Sequence, residues 1–350
     1  MIKQKKHLLV TIADAGYIDQ AKQLFSSVYW NAGWKGDYML LTSDMPESEL
    51  AWFRDKGILV KRCEPTSEVK LSNIEYPPID PSLSEEKRSA IERLRESPVM
   101  LGKFELFTPE FRKWDTILYL DSDIIVRYSL DRLTQIKGFW ATLDDPAFRS
   151  IKNQFHKNWP DDPDFKKLEN EFDLQKPAFN AGMMAFSTDV IKENTNAELW
   201  SLFRRYHRIS TYLDQPIHNL YFSSQWNRLG YAYNLPVAIW ISKYGSRKKV
   251  NGIVLHFLGS KKPWFKDDAF YDEWRANLDK ADKIDLGNRP LGAGAISIRE
   301  LIWNSPFFNA TKTLINIYDV HRLFDRQIGL IGIFLKKKSP GLYAALKKFI

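Results

Sequence analysis

The chain has 350 residues, of which 44% are hydrophobic, 14% aromatic and 27% charged, with a formal net charge of +8. That length suits one large α/β domain or two smaller ones with a core that needs no covalent staples, and the composition excludes a disordered chain. The single cysteine, Cys63, excludes an intramolecular disulfide framework and a multi-cysteine zinc site, and points to a reducing compartment.

The N-terminal part alternates between β-favouring and helical segments. His7–Ala13 reads as a strand, Tyr17–Trp30 as a helix, Asp37–Ser43 as a strand, Pro46–Lys56 as a helix and Ile58–Arg62 as a strand. Strand–helix–strand units of this spacing predict an α/β fold with a doubly wound, mostly parallel sheet. Cys63, where the third strand ends, reads as a buried thiol and not as a nucleophile. Residues 64–83 are rich in Pro, Ser and Glu and read as a loop insertion. A charged helix from Ser84 to about Glu96 and a helical stretch over Pro98–Arg112 follow.

Further strands are predicted over Thr116–Leu120, Gly138–Leu143, Ala178–Ser187 and Gly252–Phe257, and helices over Asp189–His207 and Asp214–Phe222. The division expected is a catalytic domain over residues 1–270 and a helical, basic C-terminal extension over residues 271–350. From Lys312 onward eight Lys and Arg stand against two acids, so most of the basic excess belongs to that extension. No module for nucleic acid accompanies it. Basic residues mixed with apolar ones, as in Ile328–Lys338, fit either an anionic membrane surface or a helix packed on the sheet with its lysines in water. The apolar run Leu8–Ala13 is too short for a signal-peptide core, and nowhere do about twenty apolar residues follow one another. The expected location is the cytoplasm, with the tail able to touch the inner face of the membrane.

Chemistry concentrates at two strand ends. Asp121-Ser122-Asp123 comes where the apolar run Thr116–Leu120 stops, and in an open α/β sheet ligands bind outside the carboxyl ends of the strands. Two carboxylates at i and i+2 can turn toward one hard cation, and such a site with open positions suits Mg²⁺ or Mn²⁺ that also holds a phosphate. Asp162-Pro163-Asp164 has the same spacing but no strand before it, and reads as an ordinary surface loop. The second strand end is His256, after Ile253-Val254-Leu255. A neutral imidazole there can complete a coordination sphere begun by two carboxylates. Gly259 lets a diphosphate approach the backbone, and Lys262 offers it a cation.

Asp121-Ser122-Asp123, Phe179-Asn180-Ala181-Gly182, Leu213-Asp214-Gln215 and His256-x-x-Gly259-x-x-Lys262-Pro263-Trp264 stand in the order seen in glycosyltransferase family 8, which this chain resembles over residues 7–265. The resemblance implies a retaining transferase that uses a nucleotide sugar, usually a UDP-sugar, with Mn²⁺. It implies Asp121, Asp123 and His256 as metal ligands, Tyr17 stacked on uracil, and Thr11, Ala13 and Asp14 on one loop against the uridine. Ser122 would lie against the ribose, Gly259 and Lys262 against the diphosphate, and Lys103 in the donor site. Asp144 and Asn180 would bind donor-sugar hydroxyls, and Asp214 and Gln215 would stand nearest the reacting anomeric carbon.

The residue types agree with that chemistry. Gln215 is a poor nucleophile, which favours same-face attack guided by the leaving diphosphate, with a metal and Lys262 stabilising the charge on UDP. Asp214-Gln215 also reads as a helix N-cap. Asp14 stands where relatives often carry Asn, and Pro216 is unusual after Gln215. The function expected is hexosyl transfer from a UDP-sugar to a saccharide or glycolipid acceptor in a bacterial surface glycan, lipopolysaccharide or capsule. Two alternatives stay open here: a haloacid-dehalogenase-like phosphatase with Asp121 as nucleophile, and a non-catalytic glycan-binding protein on a transferase fold.

Overall fold

Strands form where apolar, β-branched and aromatic runs are bounded by polar turns. β1 (His7–Ile12), β2 (Asp37–Thr42), β3 (Leu59–Arg62) and β4 (Thr116–Leu120) pair in parallel. β7 (Phe179–Ser187) runs antiparallel between β4 and β6 (Phe139–Leu143), and β8 (Trp226–Leu229) pairs in parallel with β6. The order across this sheet is β3-β2-β1-β4-β7-β6-β8. It is the mostly parallel α/β sheet that the sequence predicts. The computed structural model describes residues 6–63, 85, 88, 98–144, 149–155, 162–238, 250, 252–259 and 261–292.

A second, three-stranded sheet is what assembles the site. β5 (Ile124–Val126) pairs antiparallel with β10 (Val254–His256), and β10 pairs in parallel with β9 (Leu235–Pro236). The register sets His256 opposite Ile124, and the Phe257 N–H donates to the Asp123 carbonyl at 3.1 Å. A residue more than a hundred positions away is thereby locked beside the two aspartates. Neither β5 nor β9 is among the strands read from the sequence.

The helices are α1 (Ile18–Ser27), α2 (Glu47–Asp55), α3 (Pro163–Glu171), α4 (Thr195–Tyr206), α5 (Gln215–Phe222) and α6 (Tyr271–Asp279). The stretch Pro98–Lys113 forms 3-10 turns and not an α-helix. Prolines at 98 and 109 and a glycine at 102 weaken the regular hydrogen-bond ladder there. The helix expected from Asp189 begins only at Thr195, because buried Ile191 is extended. Asp162-Pro163-Asp164 is the start of α3 and not a loop: Asp162 caps it, Pro163 needs no N–H in its first turn, and Arg208 binds both carboxylates at 2.7 and 2.8 Å.

Under the sheet, Phe107, Phe139, Phe186 and Phe222 stack ring on ring, Phe139 and Phe222 with centroids 4.2 Å apart. Each buried ring of this kind contributes roughly 1.5–3 kcal/mol over an exposed one. A separate apolar cluster joins Ile125 and Leu255 of the small sheet to Phe270 and Trp274. Cys63 is buried, and burial pushes its thiol up to about 12, so it is an inert packing residue. Residues 271–292, read as the start of the extension, pack on the sheet unit: α6 lies against α1, and the Tyr29 hydroxyl is 2.9 and 2.8 Å from the carbonyls of Asp285 and Asn288. The insertion at 64–83, the rest of the helix from Ser84 beyond Glu85 and Arg88, and the basic tail from residue 293 lie outside the described residues. None of the described helices is long and apolar enough to cross a membrane.

Candidate active site

The Asp121-Ser122-Asp123 link joins β4 to β5, so its two aspartates leave one sheet and enter the other. Ligand atoms of Asp121, Asp123 and His256 lie within 4.8 Å of one another. His256 Nε2 stands 3.1 Å from Asp123 Oδ1 and 3.9 Å from Asp121 Oδ2. Its Nδ1 is 2.8 Å from Asn234 Oδ1, which leaves Nε2 to face the carboxylates. Asp123 Oδ1 is buried and makes no hydrogen bond among the described residues. Lone pairs held face to face in this way fit a shared divalent cation.

Charge supports the same fit. Lys103, 2% exposed, places Nζ 3.1 Å from both Asp121 Oδ1 and Asp214 Oδ2. Lys262 Nζ lies 2.6 Å from Asp123 Oδ2 and 2.6 Å from the Phe257 carbonyl. Three carboxylates thus share two ammonium groups, which leaves one negative charge uncompensated. Burial alone would lower Lys103, yet Asp121 and Asp214 outweigh it and hold the ammonium above its usual range. Burial raises Asp214 despite Lys103. Burial also opposes ionisation of Asp123, but its neighbours, the Lys262 ammonium first, outweigh it and hold the carboxyl well below the usual range. The Tyr119 hydroxyl donates to Asp121 Oδ1 at 2.5 Å, and burial first, then Asp121, pushes that phenol well above 10.

A second polar group adjoins the first. β7 bulges where its pairing with β6 steps from Met184 opposite Ala141 to Asn180 opposite Thr142, and this bend presents Asn180, Ala181 and Gly182 to the site. Asn180 Nδ2 donates to Asp144 Oδ1 at 3.2 Å, and Gln215 Nε2 donates to Asp144 Oδ2 at 2.8 Å. The Ala181 N–H donates to Gln215 Oε1 at 2.9 Å. Asp214 sits before α5 but makes no side-chain cap; its carboxylate turns to Lys103 instead. Pro216 falls in the first turn of α5, where no N–H is needed.

The remaining candidates are spread around the mouth. Tyr17 is 38% exposed and meets Trp264 edge to face at 5.9 Å. Asp14 accepts the Gly16 N–H at 2.9 Å and so caps the turn that carries Tyr17. Gly259 has φ +77° and open space where a side chain would stand. Ser122 is buried between the aspartates, and Ala13 is buried with its N–H on the Leu41 carbonyl. Thr11 is not on the loop with Ala13 and Asp14: it lies inside β1, fully buried, because the strand runs to Ile12.

Four residues with roles here were not singled out from the sequence: Tyr119, Asn234, His218 and Gln154. Tyr119 is an alternate position of an apolar strand, so its hydroxyl reads as one more aromatic. Asn234 follows a 3-10 turn and gives no local signal. His218 is buried between Phe104 and Phe107, with Nδ1 3.0 Å from the Asp214 carbonyl. Gln154 Nε2 donates to Asp144 Oδ2 at 3.1 Å from the 3-10 turn Ile151–Gln154.

The profile of glycosyl transferase family 8 matches residues 8–268. The glycosyltransferases GlyB and GlyF of Streptococcus pneumoniae are 30% identical over 49% of this chain and 26% identical over 73% of it. These matches span 40% and 56% of the length of those two proteins. Among solved structures, an active-site mutant of LgtC shares the fold with a TM-score of 0.56 and 16% identity, over 78% of this chain and 95% of LgtC. The bifunctional glycosyltransferase WbbM gives 0.55 and 17%, over 82% of this chain and 53% of WbbM. With its sheet and the segment carrying the Asp121–Asp123–His256 cluster inside the matched span, the chain belongs to glycosyl transferase family 8.

Proposed function

We propose that this protein transfers a hexosyl group with retention from a UDP-sugar to a saccharide acceptor. The observation that carries the reading is the clustering of Asp121, Asp123, His256 and Lys262 beside the Asp144–Asn180–Gln215 group. One end of such a site suits a diphosphate and the other a sugar. A structure of LgtC holds donor and acceptor sugar analogues, which supports a donor–acceptor pair for this chain as well.

In this reading Tyr17 and Trp264 flank the base, with Ala13 and Asp14 behind it and Ser122 against the ribose. Thr11 supports that wall from inside β1. Lys262 turns from Asp123 to the diphosphate, and Gly259 admits it to the backbone. Mn²⁺ (Mg²⁺ as substitute) held by Asp121, Asp123 and His256 would supply positive charge against the departing UDP. Asp144 and Asn180 hold sugar hydroxyls. Asp214, fixed by Lys103, and Gln215, fixed by Ala181 and Asp144, frame the anomeric carbon. The bond from that carbon to the UDP oxygen breaks as the acceptor oxygen bonds on the same face, and the acceptor proton passes to the departing phosphate oxygen. Family membership leaves the phosphatase reading of Asp121 without support, since its Oδ1 is engaged by Lys103 and Tyr119. A bacterial surface glycan is the proposed acceptor class, in line with relatives from Streptococcus pneumoniae.

The test is UDP release from a panel of nucleotide sugars with Mn²⁺, with and without chelator. Metal-dependent release from one UDP-sugar, lost in Asp123→Ala and His256→Ala variants that still fold, is the expected result. Release that ignores chelator, or UDP–Mn²⁺ binding that survives both substitutions, overturns the assignment.

A further inference from the structure

His256 is one end of a buried chain of side-chain hydrogen bonds. Its Nδ1 meets Asn234 Oδ1 at 2.8 Å; Asn234 Nδ2 donates to Asn180 Oδ1 at 2.9 Å; Asn180 Nδ2 donates to Asp144 Oδ1 at 3.2 Å. Asn180, Asn234 and His256 are all buried. Amide and imidazole orientations are free choices only until something with a fixed role anchors them. Here two groups do so. The Gly182 backbone N–H, which can only donate, points at Asn180 Oδ1 at 3.0 Å. The Ala181 N–H points at Gln215 Oε1, which turns Gln215 Nε2 onto Asp144 and makes that carboxylate an acceptor.

The polarity then propagates one way. Asn180 presents its amino group to Asp144 and its oxygen to Gly182 and Asn234. Asn234 must therefore present its amino group to Asn180, and its oxygen to His256. An oxygen at that position requires a proton on His256 Nδ1, so the lone pair of a neutral ring lies on Nε2, facing Asp121 and Asp123.

We propose that Asn234 is a positioning residue that fixes His256 as the Nδ1–H tautomer and ties this metal ligand, through Asn180, to the sugar-facing carboxylate Asp144. The inference rests on the metal-dependent transferase reading and adds the residue that prepares its third ligand. A partner on the far ring nitrogen commonly changes metal affinity by about 10- to 100-fold. Asn234→Ala removes the acceptor and weakens Mn²⁺ binding by that factor. Asn234→Asp keeps an acceptor toward Nδ1 and binds Mn²⁺ at least as tightly as wild type. It also sets oxygen against Asn180 Oδ1, so it loses preference for UDP-sugar over UDP.

The experiment uses the full chain. Nitrogen NMR on histidine-labelled, metal-free protein above pH 7.5, with His256→Ala for assignment, reads the tautomer directly in wild type and needs no substitution at Asn234. Calorimetric Mn²⁺ titration of wild type, Asn234→Ala, Asn234→Asp and His256→Ala reads the consequence. A protonated Nδ1 with bare Nε2, a weakened Asn234→Ala and a retained Asn234→Asp are the expected results. A protonated Nε2 in wild type overturns the inference, and so does wild-type Mn²⁺ affinity in Asn234→Ala. If wild type and His256→Ala bind Mn²⁺ equally, the metal reading fails instead, and the NMR result still decides the tautomer.

Discussion

Gly182 backs so closely onto His256 that a β-carbon on the glycine would overlap the imidazole Cε1, and it would lie 2.8 Å from Asp121 Oδ2. The reason is the bulge in β7, which brings backbone into the space between Asp121 and His256, the two proposed metal ligands. Gly182 is required here for room, since its φ is not in the left-handed region. Gly182→Ala is expected to displace both ligands and lower Mn²⁺ affinity at least about tenfold, with about 1–3 kcal/mol lost in stability from overpacking. Calorimetry with Mn²⁺ alongside urea unfolding measures both, and unchanged Mn²⁺ affinity would refute the cradle.

Lys103 bridges Asp121 and Asp214, the first proposed as a metal ligand and the second as part of the catalytic pair. Lys103→Met keeps the volume of the side chain but leaves Asp121 and Asp214 buried without their cation. Breaking a buried pair from one side costs about 3–5 kcal/mol. The variant should unfold at clearly lower urea, a shift that chemical denaturation detects. Because Lys103 is only 2% exposed, its effect on the donor runs through those carboxylates. A variant as stable as wild type would show that the pair is not held as described.

His218 gives a pH dependence of defined sign. Burial first, then Lys103, lowers it from 6.5 to about 3. The folded protein therefore keeps His218 neutral between those values, while the unfolded chain takes up a proton. Stability from this group is intact above pH 6.5 and falls as pH drops toward 3, by about 1.4 kcal/mol per pH unit within that window. Asp214, raised by burial, works in the opposite direction but is common to wild type and variant. His218→Leu should therefore lose less stability than wild type between pH 6.5 and 5 in urea unfolding. Parallel curves would mean that His218 titrates normally.

Much of this architecture was legible because its signals are local. The alternation over the first sixty residues, the Asp121-Ser122-Asp123 end of Thr116–Leu120 and the His256 end of Ile253–Leu255 are written in consecutive residues. β5 escaped because three apolar residues after Asp123 carry no period, and its pairing partner is β10, far along the chain. Asn234 escaped for the same reason: its value lies in facing His256 and Asn180, a long-range relation that no spacing reveals. Thr11 fell within the strand read over His7–Ala13, and only the resemblance grouped it with the loop that carries Asp14. Asp214-Gln215 kept a second reading as a helix cap because a buried lysine at position 103 could not be paired with Asp214 from sequence alone.

Gln215 separates donor placement from donor binding. Its Oε1 accepts the Ala181 N–H and its Nε2 donates to Asp144 Oδ2. Gln215→Glu preserves the first bond and replaces the second with oxygen against oxygen. Asp144 must move, and with it the sugar it is proposed to position; a shift of about 1 Å can cost roughly a hundredfold in kcat. UDP–Mn²⁺ affinity should stay near wild type, because Lys262, Asp121, Asp123 and His256 make no contact with Gln215 among the described hydrogen bonds. Two carboxylates in contact also raise one another's pKa, so a shared proton restores the lost bond as the solution becomes more acidic. Activity relative to wild type should therefore rise from pH 8 to pH 6. Steady-state kinetics across that range, with UDP–Mn²⁺ titrations beside them, separate the outcomes: a loss in UDP affinity equal to the loss in kcat would place Gln215 on the nucleotide and not on the sugar.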